Sequence, residues 1–481
     1  MTRLLKGAMA TRPLTGTVLQ LMIRVLGSVF AGETWATWRA VLKAAFALDL
    51  TDDERATVET LTGRTTLPAS PVRELWLLLG RRAGKSIIAA LLAVWATCCC
   101  SYRLAPGEVG VYMVIAADRK QARVIKRYIA GLLRAHPSLE AMIARETAEA
   151  IWLTNGACIE IHTCSWKSLR GYTCIGAAVD EVAFWDVEDS ANPDHEVLVA
   201  LRAAMASVPE AMLIGLTSVY ARRGEVWRMF EKHFGRNESA DVLVVNAPTR
   251  AMNPTIGQQM IDAAYEDDPM AAAAEYGAEF RRDVEVFLPG EALDAVRMPG
   301  RLEQPYQPAH RSNYVGFLDP AGGTGADSMT MAIAHYEHGR AKLDVIREVR
   351  PPFSPEATVA EFGAVLKSYG LSKATSDRYA GSWPVEAFRK LGITVEPSER
   401  TRSEIYLAAL PMVMSAQVEL LDHARLLKQL GSLERRKGRQ GRDTVDAPPR
   451  HHEDVANSAC GALVLAGLRR RAYSVVWGRD S

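Results

Sequence analysis

The stretch Leu75-Trp76-Leu77-Leu78-Leu79-Gly80-Arg81-Arg82-Ala83-Gly84-Lys85-Ser86 decides the reading of the N-terminal half, and Ile87 to Thr97 follow with the composition of a buried helix. An apolar run, a Gly-containing loop and an apolar helix predict a core strand that turns straight into a helix N-terminus. Such a turn aims backbone N–H groups at an anion, and the helix dipole adds to the attraction. Gly84 lets the backbone come close to phosphates, Lys85 reaches the β- and γ-phosphates, and Ser86 ligates Mg²⁺. The loop departs from the usual spacing, because Leu79 stands where the first glycine belongs and Gly80 comes one residue late. Arg81 and Arg82 fill the loop, either as a cis-acting arginine that stabilises charge on a transferring phosphoryl group or as exposed surface charges.

A second apolar run, Cys174-Ile175-Gly176-Ala177-Ala178-Val179, ends in Asp180-Glu181. Asp180 is placed to hold Mg²⁺ and Glu181 to orient or deprotonate an attacking water. Taken alone, a Gly-Lys-Ser is a loop before a helix and an Asp-Glu is a solvated strand end. In this order, each after a core-like strand, they read as an ATP-hydrolysing centre. Thr217-Ser218 follow a further apolar run, and serve either to sense the γ-phosphate or as an ordinary turn or cap.

Around these motifs strands and helices alternate. Thr34 to Ala47, with Trp35, Trp38 and Leu42, is an amphipathic helix within a helical segment 1–70. Strands are expected near 109–116, 151–153, 158–162, 174–179, 212–216 and 242–245, with Asn155-Gly156 as a hairpin turn. Helices are expected near 118–135, 195–206, 224–234, 255–266 and 269–281. The pattern is that of a parallel sheet covered by helices, an α/β P-loop ATPase domain over 71–283. Pro289-Gly290, Pro299-Gly300, Pro305 and Pro308 give 284–312 the composition of a linker.

The C-terminal part, 313–481, carries a different constellation. Tyr314 to Asp319 is a strand ending in a carboxylate, followed by the Gly-rich turn Ala321 to Ala326 and two more strands, 329–336 and 341–349. A helix, a short strand with Asp377, and a late helix 452–468 bearing Asp454 complete the order of a ribonuclease-H-like α/β nuclease domain. Separated carboxylates suit phosphodiester cleavage by two Mg²⁺ or Mn²⁺ ions, hard cations that take oxygen ligands. Asp319 is the central candidate ligand, with Asp377 and Asp454 beside it. Asp327 is a further ligand or a turn former, Asp446 and Glu453 are weaker candidates, and His451 and His452 either assist proton transfer or begin the helix. Arg435, Arg436, Lys437, Arg439 and Arg442 form a flexible basic segment suited to sequence-independent phosphate contacts with DNA, and Arg469-Arg470-Arg471 extend the basic character of the tail.

Composition bounds the rest. With 57 Lys and Arg against 56 Asp and Glu, whole-chain charge points to no nucleic-acid partner, so the local basic clusters carry that expectation. The cysteines, Cys98, Cys99, Cys100, Cys158, Cys164, Cys174 and Cys460, contain no C-x-x-C pair, which points to core thiols in a reducing cytoplasm. No charge-free apolar span of about 18 residues occurs, so no membrane helix is expected.

The ordered set G-R-R-A-G-K-S, V-D-E, Thr217-Ser218, then Asp319, Asp377 and Asp454 resembles the large subunit of tailed-bacteriophage terminases, over roughly residues 30 to 470. The late-glycine loop with Arg81 is similar to the variant loop of that family, and Ala278-Glu279-Phe280-Arg281-Arg282-Asp283 to its interdomain region. The resemblance implies that Gly80, Arg82, Ala83, Gly84, Lys85, Ser86 and Asp180 bind ATP with Mg²⁺. It implies that Arg81 and Glu181 support hydrolysis, and that Thr217 and Ser218 couple it to DNA movement. Asp319, Asp377 and Asp454 would then form an endonuclease, with double-stranded DNA, a portal protein and a small terminase subunit as partners. A homo-oligomeric ring working in the bacterial host cytoplasm is implied too. Two other readings stand beside it. One is a helicase-like translocase with a non-catalytic C-terminal DNA-binding part; the other is a degenerate prophage scaffold.

Overall fold

A computed structural model describes residues 16–477 apart from 166–168, 170, 186–192, 312, 324–326, 379–382, 438–442 and 449–450; the side chains of 437 and 469–477 are also outside the description. The chain divides into two compact α/β units, Met1–Arg282 and Asp283–Ser481. Among the described residues no helix is long and apolar enough to cross a membrane.

The first unit is built on an eight-stranded sheet: β1 (Glu74–Leu79), β2 (Gly110–Ala116), β3 (Ile143–Glu146), β4 (Ala150–Leu153), β5 (Cys158–Thr163), β6 (Thr173–Asp180), β7 (Met212–Thr217) and β8 (Val242–Ala247), in the order β3-β4-β5-β2-β6-β7-β1-β8. From β5 to β8 all neighbours are parallel. β4 runs antiparallel to both β3 and β5. The Asn155-Gly156 turn is present with Gly156 at φ +89°, and β3 is an edge strand that the sequence reading lacked. Leu75 to Leu79 are fully buried, as an interior parallel strand requires. Before β1, the helix Asp52–Thr62 opens on a Thr51/Glu54 capping box and closes on Gly63 at φ +66°.

The second unit carries β9 (Val284–Val286), β10 (Val315–Asp319), β11 (Met329–Glu337), β12 (Arg340–Val349), β13 (Lys373–Ser376), β14 (Thr394–Pro397), β15 (Val418–Glu419), β16 (Glu434–Lys437) and β17 (Asp443–Asp446). Its main sheet runs β14-β13-β10-β11-β12-β15, with β10-β11-β12 an antiparallel meander and β13 parallel to β10. Side chains alternate between the faces along β10 and β11, while an irregularity in the β11–β12 pairing at Ile333/Ala334 places Leu343 and Val345 on opposite sides. Val315, Phe317, Ala332, Ala334 and Leu343 pack on one side with the helices Arg402–Met414 and Asp454–Trp477. Leu318, Met331, Ile333 and Val345 pack on the other with the helix Pro355–Ser368. A sheet buried on both faces explains why Val315 to Leu318 reads as a continuous apolar run.

Residues 284–312, expected to be a linker, are not one. β9 pairs with β16, Pro289 caps the helix Gly290–Val296, and Phe287, Leu288, Leu293 and Val296 are buried in the second unit's core. The Pro-Gly pairs mark turns between short packed elements, and the apolar residues between them outweigh that signal.

Candidate functional site

In the first unit β6, β7 and β1 lie side by side and parallel, so the loops leaving their carboxyl ends meet at one edge of the sheet, where ligands of open α/β sheets sit. The loop after β1 is held from behind. Arg81 O accepts from Thr249 Oγ1 at 2.7 Å, Arg82 O from Asn253 Nδ2 at 2.8 Å, and Ala83 O from Trp38 Nε1 at 2.9 Å. With three successive carbonyls tied back, the orphan N–H groups of the following helix, Lys85–Cys98, are left at its open end. Gly84 caps that helix at φ +97°, and Arg82 adopts φ +66° without being glycine. The displaced glycine has a steric reason: a Cβ on Gly80 would stand 2.3 Å from Thr249 Oγ1 and 2.6 Å from Tyr276 O.

Lys85 is buried, and its ammonium donates to Leu79 O at 2.8 Å, Gly80 O at 3.2 Å and Ser218 Oγ at 3.1 Å. Burial holds it below its ordinary pKa against the pull of Glu181 and Asp180. Glu181, at the end of β6 with φ +52°, accepts from Ser218 N at 3.1 Å and Thr217 Oγ1 at 3.4 Å. The Thr217-Ser218 pair therefore touches both Lys85 and Glu181. Burial, reinforced by the charge of Glu181, pushes the Asp180 carboxyl up to about 7, with Lys85 opposing. Ser86 lies beside Lys85 in the first helical turn. Arg81 is turned elsewhere: its mostly exposed guanidinium pairs with Glu275 at 2.9 Å. Arg82 is exposed as well.

In the second unit Asp319 closes β10, and Asp377 follows β13, the parallel neighbour of β10. Their carboxylates converge on one amide. Asn457 Nδ2 donates to Asp319 Oδ2 at 2.8 Å and to Asp377 Oδ2 at 2.9 Å. Asp454 opens the same helix one turn earlier and accepts from Ser328 N at 2.9 Å. The helix comes close because Gly461 faces Phe317 of β10, where a Cβ would stand 2.5 Å from the ring. Asp319, Asp377, Asp454, Asp327, Asp446, Arg402, His451, His452 and Glu453 line one cavity of about 450 Å³. Burial pushes Asp319 up to about 7, aided by the charges of Asp377 and Asp454 and opposed by Asn457 and Arg402. Burial also raises Asp454 and lifts Glu453 to about 7 even though it pairs with Arg402. Within this cavity the ligand atoms of Asp327, His452 and Asp454 lie within 4.8 Å of one another, a group that could hold a metal ion.

No protein-family profile matches the chain, and no curated protein matches it. Among solved structures it is similar to the large terminase of bacteriophage HK97, at 13% identity over 86% of this chain and 95% of that one, with a TM-score of 0.38. It is also similar to the large terminase of a thermophilic bacteriophage in complex with ADP, at 13% identity over 85% and 97%, with a TM-score of 0.37. The large terminase nuclease of the thermophilic phage G20c with bound magnesium covers 36% of this chain and 94% of its own, at 15% identity and a TM-score of 0.30.

Of the basic segment, Arg435 and Arg436 lie on β16, which pairs antiparallel with β17, and they are engaged with Asp443 and Glu434. Arg439, Arg442 and the side chain of Lys437 lie outside the described residues, as do the side chains of Arg469, Arg470 and Arg471 and part of the Ala321 to Ala326 turn. Asn457, Arg402, Ser328 and the supporting Trp38 escaped the sequence reading of the sites. Asn457 had a signal, since it stands three residues after Asp454 and ahead of the apolar run Ala459 to Leu468 on the same helix.

Proposed function

We propose that the chain is an ATP-driven DNA translocase and metal-dependent endonuclease of the large-terminase kind, with a P-loop motor in the first unit and a ribonuclease-H-like nuclease in the second. The observation that carries the reading is the convergence of Asp319 and Asp377 on Asn457, with Asp454 in the same cavity, in a chain whose other unit joins Lys85 to Glu181 through Thr217-Ser218.

In the motor, the tied-back loop and Gly84 would cradle the phosphates of ATP, Ser86 and Asp180 would hold its Mg²⁺, and Glu181 would orient the attacking water. Lys85 exchanges its contacts with Leu79, Gly80 and Ser218 for the phosphates. Release of Ser218 frees the strand end that also grips Glu181, so the nucleotide state reaches β7 through two hydrogen bonds. In the nuclease, Asp319, Asp377 and Asp454 would hold Mg²⁺ or Mn²⁺, which supplies an activated water and charge neutralisation at the scissile phosphate. Asn457 fixes the two central carboxylates, and Arg402 balances the acidic cavity. Double-stranded DNA is the substrate, and a portal, a small subunit and further copies in a ring are the partners, in the bacterial host cytoplasm.

The test is plasmid DNA incubated with the purified chain and Mn²⁺ without ATP, beside Asp319→Ala. Cleavage by the first alone supports the nuclease. No cleavage by protein that still hydrolyses ATP leaves a translocase with a non-catalytic second unit; no ATP binding by folded protein leaves a scaffold.

A further inference from the structure

At the far end of β11 from the carboxylate cavity lies a second cluster of metal-binding side chains. Asp319 pairs in register with Thr330, whereas His335 and Glu337 sit near the other end of that strand, roughly 20 Å along it. His310 reaches them from the short helical turn Pro308–His310. The ligand atoms of His310, His335 and Glu337 all lie within 4.8 Å of one another.

His335 is the anomaly. It is 5% exposed, and its Nδ1 lies 2.5 Å from Asp344 Oδ2. A carboxylate accepts there, so Nδ1 carries a proton, and in the neutral imidazole Nε2 presents a lone pair. That Nε2 is buried and makes no hydrogen bond among the described residues. The nearest carboxylate oxygen, Glu337 Oε2, is another acceptor, 4.0 Å away. A buried lone pair left without a donor or a cation is unfavourable. Asp344 is itself anchored by Arg301 at 3.3 Å. An imidazole whose other nitrogen is oriented by a carboxylate is the usual outer arrangement of a metal-bound histidine.

We propose that His310 Nε2, His335 Nε2 and Glu337 Oε1 form a binding site for a borderline transition-metal cation of the Zn²⁺ class, with Asp344 as its orienting partner. Two imidazoles and one carboxylate match the Zn²⁺ donor set, with the remaining position left to solvent. Glu337 Oε1 already lies 3.2 Å from His310 Nε2, and the ion replaces the proton between them. Lys342 keeps Oε2 at 2.8 Å, so Glu337 binds through one oxygen. His338 Nδ1 stands 3.5 Å from the same Oε2. Zn–N bonds of about 2.0–2.1 Å require the two nitrogens to lie no more than about 4.2 Å apart, with their lone pairs converging. The rings are now stacked at 4.5 Å with planes 19° apart, so the His310 ring turns about its soft χ2 while His335 stays pinned. Bound metal would clamp the turn 308–310 to the β11–β12 hairpin.

The experiment uses the full chain carrying Asp319→Ala and His452→Ala, which removes ligands of the carboxylate cavity and of its Asp327–His452–Asp454 group as competing sites. Zn²⁺ is titrated against a chromophoric chelator, and zinc X-ray absorption reads the ligands. The expected result is one tight equivalent with two imidazoles, lost in His335→Gln and in Glu337→Gln. Asp344→Asn, which retains all three ligands, should weaken it about 10–100-fold. Absence of a tight equivalent in the parent protein overturns the proposal, as does binding unchanged in both ligand variants. Should His335→Gln not fold, Glu337→Gln and the absorption spectrum of the parent decide alone. The outcome is independent of nuclease activity, because Asp319 is already removed.

Discussion

The two polar centres are assembled in opposite ways. In the first unit Gly80 to Ser86 are contiguous, and the partners Asp180-Glu181 and Thr217-Ser218 end the next two strands of a parallel sheet. In the second, Asp319, Asp377 and Asp454 come from a meander strand, a parallel neighbour and a late helix, held together by Asn457. The first centre is made by local backbone geometry and the second by tertiary packing. A loop site survives small shifts of its scaffold, because its N–H groups move as one body. A site spread over three elements depends on each contact that sets their spacing.

The separation predicts the largest effects. Asp319→Ala should reduce Mn²⁺-dependent plasmid cleavage to background while ATP hydrolysis continues. Lys85→Ala should lower ATP hydrolysis by about a hundredfold or more, as expected when a donor to the transferring group is lost, while Mn²⁺-dependent cleavage without ATP persists. Parallel assays of both activities on both variants check this. Loss of both activities in either folded variant would break the distinction between the centres.

Next in size is the helix contact behind the second centre. Gly461→Ala places a methyl group against the Phe317 ring, and overpacking of this kind costs about 1–3 kcal/mol. The thermal midpoint should fall, and cleavage should fall with it, because Asp454 and Asn457 ride on the same helix. A Phe317→Leu partner substitution should restore part of both losses. ATP hydrolysis assayed at a permissive temperature should stay at the parent level. Cleavage intact despite a lower midpoint would mean that the carboxylates do not depend on this packing.

Legibility in the sequence follows the same division. The loop 80–86, Asp180-Glu181 and most strands of the first sheet could be read locally, because buried parallel strands are apolar runs and the motif is contiguous. β3 was missed: Ile143-Ala144-Arg145-Glu146 is a short, mostly exposed edge strand without an apolar run. In the second unit strand order singled out three aspartates that line one cavity, whereas Asn457 and Arg402 were not singled out, since their contacts exist only once helices pack on the sheet. Residues 284–312 misled because prolines punctuate packed turns and linkers alike. The pairing of Arg435 with Asp443 across β16 and β17 was invisible in a count of charges.

Trp38 tests a subtler part of the first centre. Trp38→Phe keeps an aromatic ring, though a smaller one, in the core and leaves Ala83 O without its 2.9 Å donor, at a cost of about 1–3 kcal/mol for the buried unsatisfied carbonyl. The loop should loosen, raising KM for ATP several-fold with a smaller change in kcat. Cleavage of plasmid by the second unit should be unaffected.

The smallest effect concerns the foundation of β1 rather than either centre. Burial pushes Glu74 up, but Arg202, bonded at 2.7 and 2.9 Å, and Trp76 Nε1 outweigh it and hold the carboxyl below its ordinary value. An acid whose folded pKa is depressed binds fewer protons folded than unfolded, so its stabilisation is complete above the unfolded value of 4.5 and fades as pH falls through the lower folded one. Glu74→Gln should therefore lower the first unit's thermal midpoint at pH 7 and shrink its loss between about pH 5 and pH 3. Thermal unfolding across that range checks both halves of the expectation. A variant whose acid slope matches the parent would place the proton uptake at other carboxylates. The second unit's transition should keep its own pH dependence throughout, because Glu74 and Arg202 both belong to the first.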